Sequence, residues 1–384
     1  MKNYTVQPGD TLNSIAIKFL YRAALSYKIR QVNNLPGNDV YPGQVLLIPE
    51  IEKTERKEYQ SLTIVVDGKE LKQTPPITIQ TAINTIAPGF NFEIPIHENL
   101  KIFKPYGFEF IDIYYGNTII LSGYVDSIVC NSLEKTLSVS GFGGSHVLSQ
   151  VNFPPASYPR TFNNSTLKKI IEKVIDPFPI QLEIENDAKS LAGKKFPKVE
   201  ISASQKNSDF IIDLADQKGL IVHGNATGGI VLKNELTNSE KILKLVDIPG
   251  TAEYNNGAIF SDYTCLKSAS STSFSKIARS KIKIDDFRPT VFEAGNLQED
   301  SLENMIKKQI KADLINSHKM TISLPYVTDI NGDLIELNRQ ISYKHDDLFA
   351  DDDYVITAVT YDFSATEEKA TIDIVPVKYF KGEL

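Results

Sequence analysis

Short runs that alternate apolar and polar residues, each closed by a turn signal, dominate the chain after residue 60. This alternation is typical of strands with one buried face, and a two-residue turn containing glycine between two runs predicts a β-hairpin. The runs are residues 62–66 before Asp67-Gly68, residues 108–115 before Gly116-Asn117, and residues 123–129 and 136–141. Together they predict a small antiparallel β-barrel domain at residues 61–155, with a β-sandwich as the alternative.

A block with helical periodicity follows, and it predicts an α+β domain at residues 156–235. Its first helix is indicated by apolar residues at i, i+3, i+4, i+7 and i+8, namely Leu167, Ile170, Ile171, Val174 and Ile175. Ser165 is the expected N-cap of this helix. A second helix is predicted at residues 208–219, and a hairpin is expected to pair residues 220–222 with residues 230–232.

The last part of the chain returns to strand patterns and predicts a second antiparallel β-barrel domain at residues 236–384. A helix is expected to be inserted at residues 301–315, and Asn331-Gly332 predicts a hairpin turn. The 384 residues suffice for two or three domains. The expected fold class is therefore mainly β with α+β insertions.

The first 49 residues differ from the remainder in charge. They contain five basic and two acidic residues, a net charge of +3, whereas the remainder contains 36 basic and 46 acidic residues, a net charge of −10. An acidic body argues against nucleic-acid binding, which needs a basic face. We therefore expect a basic module at residues 1–50, a charged linker at residues 51–60, and an acidic body.

The pattern of this module is strand, helix, helix, strand (βααβ). Residues 4–7 predict the first strand, and Leu12, Ile15, Ala16 and Phe19 have helical spacing. A second amphipathic stretch covers residues 24–32, and a turn at Tyr41-Pro42-Gly43-Gln44 precedes a strand at residues 45–48.

Residues 4–12, Ser14-Ile15-Ala16, residues 32–35 and residues 41–49 resemble a LysM domain from end to end. That family binds N-acetylglucosamine-containing polymers in a shallow groove between the loop after the first strand and the loop before the second. The resemblance implies a groove formed by Gly9, Asp10, Thr11, Leu12, Asn34, Leu35 and Pro36. The same residues also suit turns and a helix cap, so a module used only for protein docking is an open alternative.

The body resembles the hub proteins of contractile phage tails, in the Mu-like baseplate hub and late control D families, and the hubs of type VI secretion spikes. The resemblance rests on Gly123-Tyr124-Val125-Asp126, residues 139–141, residues 209–215 leading into residues 218–222, and residues 353–362. It implies a virion structural protein in which three copies form a ring and adapt the tail tube to the spike.

That resemblance further implies two barrels per chain, so that a homotrimer presents six similar units. The implied partners are tube and spike proteins, other baseplate subunits and, through LysM, peptidoglycan. An acidic lumen would let DNA pass without adhering. The expected location is the tail baseplate, assembled in the bacterial host cytoplasm. The first ten residues contain no apolar segment of a secretory signal, and no apolar run is long enough for a membrane span.

No catalytic constellation, cofactor or metal site is predicted. Gly141–His146 lacks the lysine of a phosphate loop, and adjacent Ser145 and His146 on an extended chain point to opposite faces. His97, His223, His318 and His345 have no ligand spacing, and the acidic residues at 346–353 are expected to form a solvated loop. The protein is therefore expected not to be an enzyme. The alternative is a cell-wall hydrolase or adhesin anchored by LysM.

The chain has two cysteines, Cys130 and Cys265. Two cysteines are too few for a disulfide framework or a four-ligand zinc site. We expect both to be buried small hydrophobic residues of a protein that folds in a reducing compartment.

Overall fold

The structure is a computed structural model of the chain. The residues that it describes are 2–8, 10–12, 15–16, 19, 29–30, 32–35, 39–49, 62–72, 74–96, 101–152, 161–202, 204–234, 243–270, 273–284, 286–293, 302–328, 333–364 and 367–383. The predicted linker at residues 51–60 and the predicted turn at Asn331-Gly332 lie outside them. Of the predicted second helix of the N-terminal module, Ile29, Arg30 and Val32 are described, and all three are helical.

Strands make up most of the described chain. They are β1 Lys2–Thr5, β2 Val45–Ile48, β3 Leu62–Val66, β4 Lys69–Glu70, β5 Ile77–Ala82, β6 Gly89–Pro95, β7 Phe110–Tyr115, β8 Thr118–Asn131, β9 Thr136–Gly143, β10 Thr161–Thr166, β11 Leu182–Ile184 and β12 Lys195–Glu200. They continue as β13 Leu220–Gly224, β14 Ile230–Asn234, β15 Leu243–Val246, β16 Gly250–Tyr254, β17 Asp262–Ser270, β18 Ser273–Lys281, β19 Pro289–Glu293, β20 His318–Leu324, β21 Gln340–His345, β22 Ala350–Phe363 and β23 Glu368–Pro376.

The helices whose full extent the structure describes are shorter and fewer. They are α1 Val147–Gln150, α2 Leu167–Ile175, α3 Lys189–Ala192, α4 Asn207–Gln217, α5 Leu302–Ser317 and α6 Val377–Phe380. Short 3-10 turns lie at Gly144–His146, Asn256–Ala258 and Asp346–Leu348. The mainly β class is thus confirmed.

The two predicted β-barrels are wrong in one respect, because the described strands form no closed barrel. Thirteen of them lie in a single open sheet, along the path β16-β20-β23-β22-β5-β6-β9-β8-β7-β3-β4, with β21 also paired to β22 and β15 to β21. The physical reason is the antiparallel pairing of β5 with β22, which joins strands from both predicted barrels. Their apolar faces meet in one core that contains residues of both segments, such as Ile79 and Tyr361.

This sheet contains two six-stranded units with the same strand order. The first unit runs β5-β6-β9-β8-β7-β3, and the second runs β16-β20-β23-β22-β21-β15. Each is built around a strand of 14 residues, β8 or β22. Each unit is also followed by a short helix, α1 or α6. The units differ at one edge, where β3 is antiparallel to β7 but β15 is parallel to β21.

A β-bulge bends the long strand of each unit at the matching place. The register shifts between Val125 and Ser127 in β8, and between Ile356 and Ala358 in β22. Before the bulge the long strand pairs with β7 or β21, and around and after it with β9 or β23. An extra residue increases the local twist and redirects a strand, so that the two halves of one long strand can pair with different neighbouring strands.

Between the two units lies the α+β region, which has a core of its own. Helix α4 packs on β13, and helix α2 packs against α4 and β10. The hairpin β13–β14 forms as predicted, and β11 adds to β14 in parallel. The predicted N-cap is wrong by one residue, because the Thr166 hydroxyl, not that of Ser165, accepts the hydrogen bond from the Lys169 amide. The cap is Thr166 because it is the last residue of β10 and directly precedes the helix, with the extended backbone (φ −78°, ψ 154°) that is typical of an N-cap.

The close approach of β8 and β9 at the first bulge depends on glycine. A Cβ on Gly123 would lie 1.9 Å from the Phe142 carbonyl oxygen, which belongs to the backbone and cannot rotate away. A Cβ on Gly89 would lie 3.3 Å from the side-chain ring of Phe142, and its nearest backbone neighbour, the Gly141 carbonyl oxygen, would be at an ordinary contact distance of 3.9 Å.

Gly123→Ala should therefore lower the free energy of unfolding by about 3 kcal/mol, the upper range for forcing atoms into a packed site. Gly89→Ala, the matched control, should cost less than about 1 kcal/mol. The measurement is the urea unfolding midpoint of the full chain, followed by tyrosine fluorescence. Equal midpoints for the two variants would show that the backbone is not fixed at the bulge.

Candidate functional site

The predicted LysM groove residues belong to the N-terminal module, which has a small core of its own. Strands β1 and β2 pair antiparallel, and Val6, Ile15, Ile29 and Leu46 are buried between them and the helical residues. Of the predicted groove residues, Thr11 and Asn34 are exposed, whereas Asp10 and Leu35 are partly buried. Leu12 is buried in the core of the module, and Gly9 and Pro36 lie outside the described residues.

Asp10 holds the first loop of the groove. Its Oδ2 accepts hydrogen bonds from the Tyr4 hydroxyl at 2.6 Å and from the Gln7 amide at 2.8 Å, and the Asp10 amide donates to the Gln7 carbonyl. Hydrogen bonds to an ionised carboxylate are stronger than those between neutral groups. The loop that carries Thr11 is thereby fixed against β1.

Asn33 holds the second loop and was not among the predicted groove residues. Its Nδ2 donates to the Ile29 and Leu47 carbonyls at 2.8 and 2.7 Å, and its Oδ1 accepts from the Leu47 amide at 2.7 Å. This side chain joins the end of a helix to β2 and positions the next residue, Asn34, whose φ of 50° is left-handed. Asparagine tolerates that conformation. The pair Asn33-Asn34 before Leu35 was therefore the sequence signal from which this turn, and the role of Asn33 in it, could have been predicted.

The second candidate site is one face of the thirteen-stranded sheet, here called the polar face. It comprises hydroxyl, amide and carboxylate side chains that alternate with core residues, namely Thr78, Gln80, Asn91, Glu93, Ser138, Ser140, Thr321, Ser323, Thr360, Asp362, Lys369, Thr371 and Asp373. Strand register places some of them in a continuous cross-strand row, Lys369–Asp362–Thr78–Asn91–Ser140–Ser127. The row crosses from the second unit into the first.

The acidic members of the polar face are held by neighbouring hydroxyl groups. Thr78 Oγ1 donates to Asp362 at 2.7 Å, Thr321 Oγ1 donates to Asp373 at 2.6 Å, and Ser138 Oγ donates to Glu93 at 3.3 Å. Lys369 is a basic member, and Lys319 lies on the same face because it alternates with Thr321 along β20, opposite Glu253. The carboxylates of Glu93, Glu253, Asp362 and Asp373 outnumber these two amino groups, so the face carries an excess of negative charge. Small, hydrogen-bonded and mildly acidic side chains make a surface that repels polyanions.

Two aromatic groups secure the junction between the units. The Tyr115 hydroxyl donates to Glu368 at 2.7 Å, and its ring lies 5.4 Å from that of Phe363. Burial, with the hydrogen bond to Glu368, raises the pKa of Tyr115 to about 12. The phenol is therefore protonated and donates to Glu368 at neutral pH.

Ser145 and His146, which were considered as a catalytic pair, have structural partners. The Ser145 hydroxyl is buried and donates to the Ile86 carbonyl, and the His146 ring stacks on Phe142 at 3.8 Å. Burial lowers the pKa of both His223 and His318, which are therefore neutral at pH 7. His97 lies outside the described residues.

The prediction of a solvated loop at residues 346–353 is wrong for its second half. Asp346 and Asp347 lie in a 3-10 turn, whereas residues 351–353 belong to β22 and pair with β21. Asp351 binds Lys344 at 3.0 Å, Asp352 lies 3.6 Å from Lys378, and Asp353 accepts from the Ser342 hydroxyl. Within the described part of the chain, no group of three His, Cys, Asp or Glu residues is arranged to hold a metal ion. No helix in that part has the length and apolarity needed to cross a bilayer.

One of the two cysteine predictions is confirmed and the other is wrong. Cys265 is buried in β17, but Cys130 is exposed. Cys130 follows the bulge of β8, where β9 pairs with one edge of the strand and no other described strand pairs with the opposite edge. Its side chain therefore has a neighbouring strand on one side only.

Comparison with known families gives two matches along the chain. Residues 4–49 match the LysM domain, and residues 155–234 match the second domain of the gp44-like baseplate hub proteins. The chain thus carries a LysM domain at its N-terminal end and a baseplate hub gp44-like domain between the two sheet units. Both resemblances drawn from the sequence are confirmed.

Comparison with individual proteins extends this to the fold of the body. The chain is similar to a 43 kDa tail protein of prophage MuSo2 from Shewanella oneidensis, at 18% identity and a TM-score of 0.73, over 83% of this chain and 99% of that one. It is also similar to a tail protein from Neisseria meningitidis MC58, at 16% identity and a TM-score of 0.69, over 84% and 98% of the two chains. The body has the fold of these tail proteins.

A curated relative, the uncharacterized protein YpbE of Bacillus subtilis (strain 168), is 50% identical over 46 residues. That match covers 12% of this chain and 19% of the relative's length. The similarity is therefore limited to one module, and it gives no information about the body of the chain.

The hydrogen bonds of Asn33 give a direct test of how the groove loops are held. Asn33→Ala removes three bonds between partly buried groups, so we expect local stability to fall by about 2–3 kcal/mol. Amides in residues 2–8 and 39–49 of the full chain should then exchange with deuterium roughly 30- to 150-fold faster. Arg30→Ala, an exposed neighbour, is the control and should leave exchange unchanged. Unchanged exchange in Asn33→Ala would contradict the role given to this side chain.

Proposed function

We propose that the protein is the structural hub of the baseplate of a contractile phage tail or a related injection particle, where it adapts the tail tube to the spike. The observation that carries this proposal is the pair of equivalent six-stranded units within one sheet. The gp44-like domain between them and the fold shared with tail proteins support it. The particle's tail is the proposed location, after assembly in the host cytoplasm.

A chain with two similar units suits a change of symmetry. Three copies in a ring would present six near-equivalent units to a sixfold tube on one side, and three equivalent α+β regions on the other. Rings of this type are closed by heterologous interfaces, in which different patches of the same chain meet. The proposed partners are tube and spike proteins together with other baseplate subunits.

The polar face is the surface proposed to line the opening of such a ring. Most of its side chains are hydroxyl and amide groups, which do not form the cluster of cations that would hold a DNA backbone. Glu93, Asp362 and Asp373 add negative charge. Binding of DNA by proteins depends mainly on basic side chains that contact phosphates. DNA would therefore slide along this face, not adhere to it.

The LysM module is proposed to contact peptidoglycan during penetration of the cell wall. Thr11 and Asn34 offer exposed polar side chains, one from each of two loops that Asp10 and Asn33 hold in place. Gly9, Asp10, Leu12, Leu35 and Pro36 complete the proposed groove. The alternative, in which the module only docks to tail neighbours, is decided by the binding test given below.

The hub role makes a prediction about mass. The full chain should form a species of about three times 42.8 kDa in sedimentation velocity at concentrations of tens of micromolar. A chain that stays monomeric and degrades purified peptidoglycan would contradict the hub and favour the LysM-anchored hydrolase. A monomer without muralytic activity but with tight wall binding would favour the adhesin.

The sugar groove makes a separate prediction. The full chain should sediment with purified insoluble peptidoglycan, and the double variant Thr11→Ala with Asn34→Gly should bind at least about tenfold more weakly. Glycine preserves the left-handed backbone at position 34. Thr5→Ala, an exposed change on β1, is the control and should bind as the native chain does. Failure of the native chain to sediment would leave tail docking as the role of the module.

A further inference from the structure

The contact that joins the two units within the chain has a defined register. Residues 77–82 of β5 pair antiparallel with residues 358–363 of β22, so that Ile79 lies opposite Tyr361 and Thr78 opposite Asp362. Ile79 and Tyr361 are buried, and the Thr78 hydroxyl donates to Asp362 at 2.7 Å. The contact therefore combines main-chain pairing, apolar burial and one side-chain hydrogen bond.

The two units allow the equivalents of these strands to be located. Matching the bulges places residues 358–363 of β22 on residues 127–132, the half of β8 after its bulge. Matching the pairs Phe90–Ile79 and Met320–Ala252 across β6 and β20 then places β5 on β16. The half of β8 after its bulge is thus the first unit's equivalent of the β22 edge that pairs with β5. Strand β16 is the second unit's equivalent of β5.

Both of these edges are open in the single chain. Strand β16 pairs with β20 on one side, and in the described part of the chain no strand pairs with its other side. The half of β8 after the bulge pairs only with β9 among the described strands. Open edges present unpaired main-chain donors and acceptors that readily pair with another strand.

Exposed apolar side chains are found at both open edges. Val129 and Leu133, on and just beyond β8, are 59% and 90% exposed, and Cys130 between them is exposed as well. Tyr254 of β16 is 44% exposed, and Phe349, 87% exposed, lies beside it with its ring 6.4 Å away. Apolar groups gathered at an open edge indicate a surface that another protein covers.

We propose that the open edge of β16 in one copy pairs antiparallel with residues 127–132 of β8 in a neighbouring copy, in the register of the β5–β22 contact. This inference rests on the ring proposed above and names the strands that close it. The register places Ala252 opposite Cys130 and Tyr254 opposite Ile128. It also places Thr251 opposite Asn131. This pair is the equivalent of Thr78 and Asp362 within the chain: a threonine hydroxyl faces a side-chain amide where it otherwise faces a carboxylate.

The pairing is heterologous, since it joins the β16 edge of one copy to the different, β8 edge of the next. Each copy therefore has one neighbour on either side, and a ring leaves neither edge open. Cys130, which is exposed in the single chain, would take the place in the new contact that the buried Tyr361 takes in the β5–β22 contact. The occupant of both edges is thus a second copy of this chain.

Cys130 provides the test, because it is the exposed cysteine of the native sequence. Residues opposite each other in antiparallel strands have Cα atoms about 4.5–5.5 Å apart, within the range that a disulfide spans. With oxidised glutathione accepting the two electrons and two protons, Ala252→Cys should become mostly covalent dimer and trimer on a non-reducing gel. The full chain is used throughout.

Two controls separate register from proximity. Glu253→Cys, one residue along, has its side chain on the opposite face of the sheet, and should give less than about one-tenth as much cross-linked product. Ala252→Cys combined with Cys130→Ser should give none. Covalent trimer in Ala252→Cys but not in the controls supports the pairing.

Failure of this inference is distinguishable from failure of the hub. A trimeric mass without the disulfide in Ala252→Cys would overturn the strand pairing and leave the ring standing. Equal cross-linking of Ala252→Cys and Glu253→Cys would also overturn it, because the register would then be wrong. A monomeric mass without cross-linking at about 100 μM would contradict both the pairing and the ring.

Discussion

The antiparallel pairing of β5 with β22 is the interaction on which the body depends. It links Thr78 to Asp362 across 284 positions of sequence and merges two six-stranded units into one sheet. Closing so long a loop costs little more than closing one half as long, because this entropy grows only with the logarithm of length. Burial of large side chains such as Ile79 and Tyr361, worth about 2–3 kcal/mol each, contributes to offsetting that cost. The shared core and the continuous polar row are both consequences of this contact.

The same contact uses only one of the two equivalent edges of each kind. Two equivalent units have four matching edges, and internal pairing uses one β5-like edge and one β22-like edge. No described strand pairs with the other two, and Tyr254 and Phe349 are exposed at one of them and Val129 and Leu133 at the other. Open edges of this kind promote aggregation unless another strand covers them. In the ring that we propose, a neighbouring copy would pair with each of these edges, and the polar face of each copy would be turned towards the central opening.

Local features of the fold could be predicted from the sequence, whereas distant ones could not. Asp67-Gly68 indicated a hairpin because both residues adopt positive φ, at 48° and 81°, a local property of the turn. The spacing of apolar residues likewise located α2, although the cap moved from Ser165 to Thr166. The pairing of β5 with β22 has no local signal, so two closed barrels were expected in place of one open sheet. Cys130 was misjudged for the same reason, since its exposure depends on which edge of β8 lacks a neighbour.

The central claim is that two equivalent units per chain become six in the assembled ring, with the polar face lining the opening. Cryo-electron microscopy of the purified assembly tests this most directly. We expect three copies arranged so that six sheet units superpose by rotations of about sixty degrees, with Thr78, Asn91 and Asp362 facing the central opening. A ring in which the polar face lies on the outer surface, or in which the two units of each chain are not related by such a rotation, would contradict it.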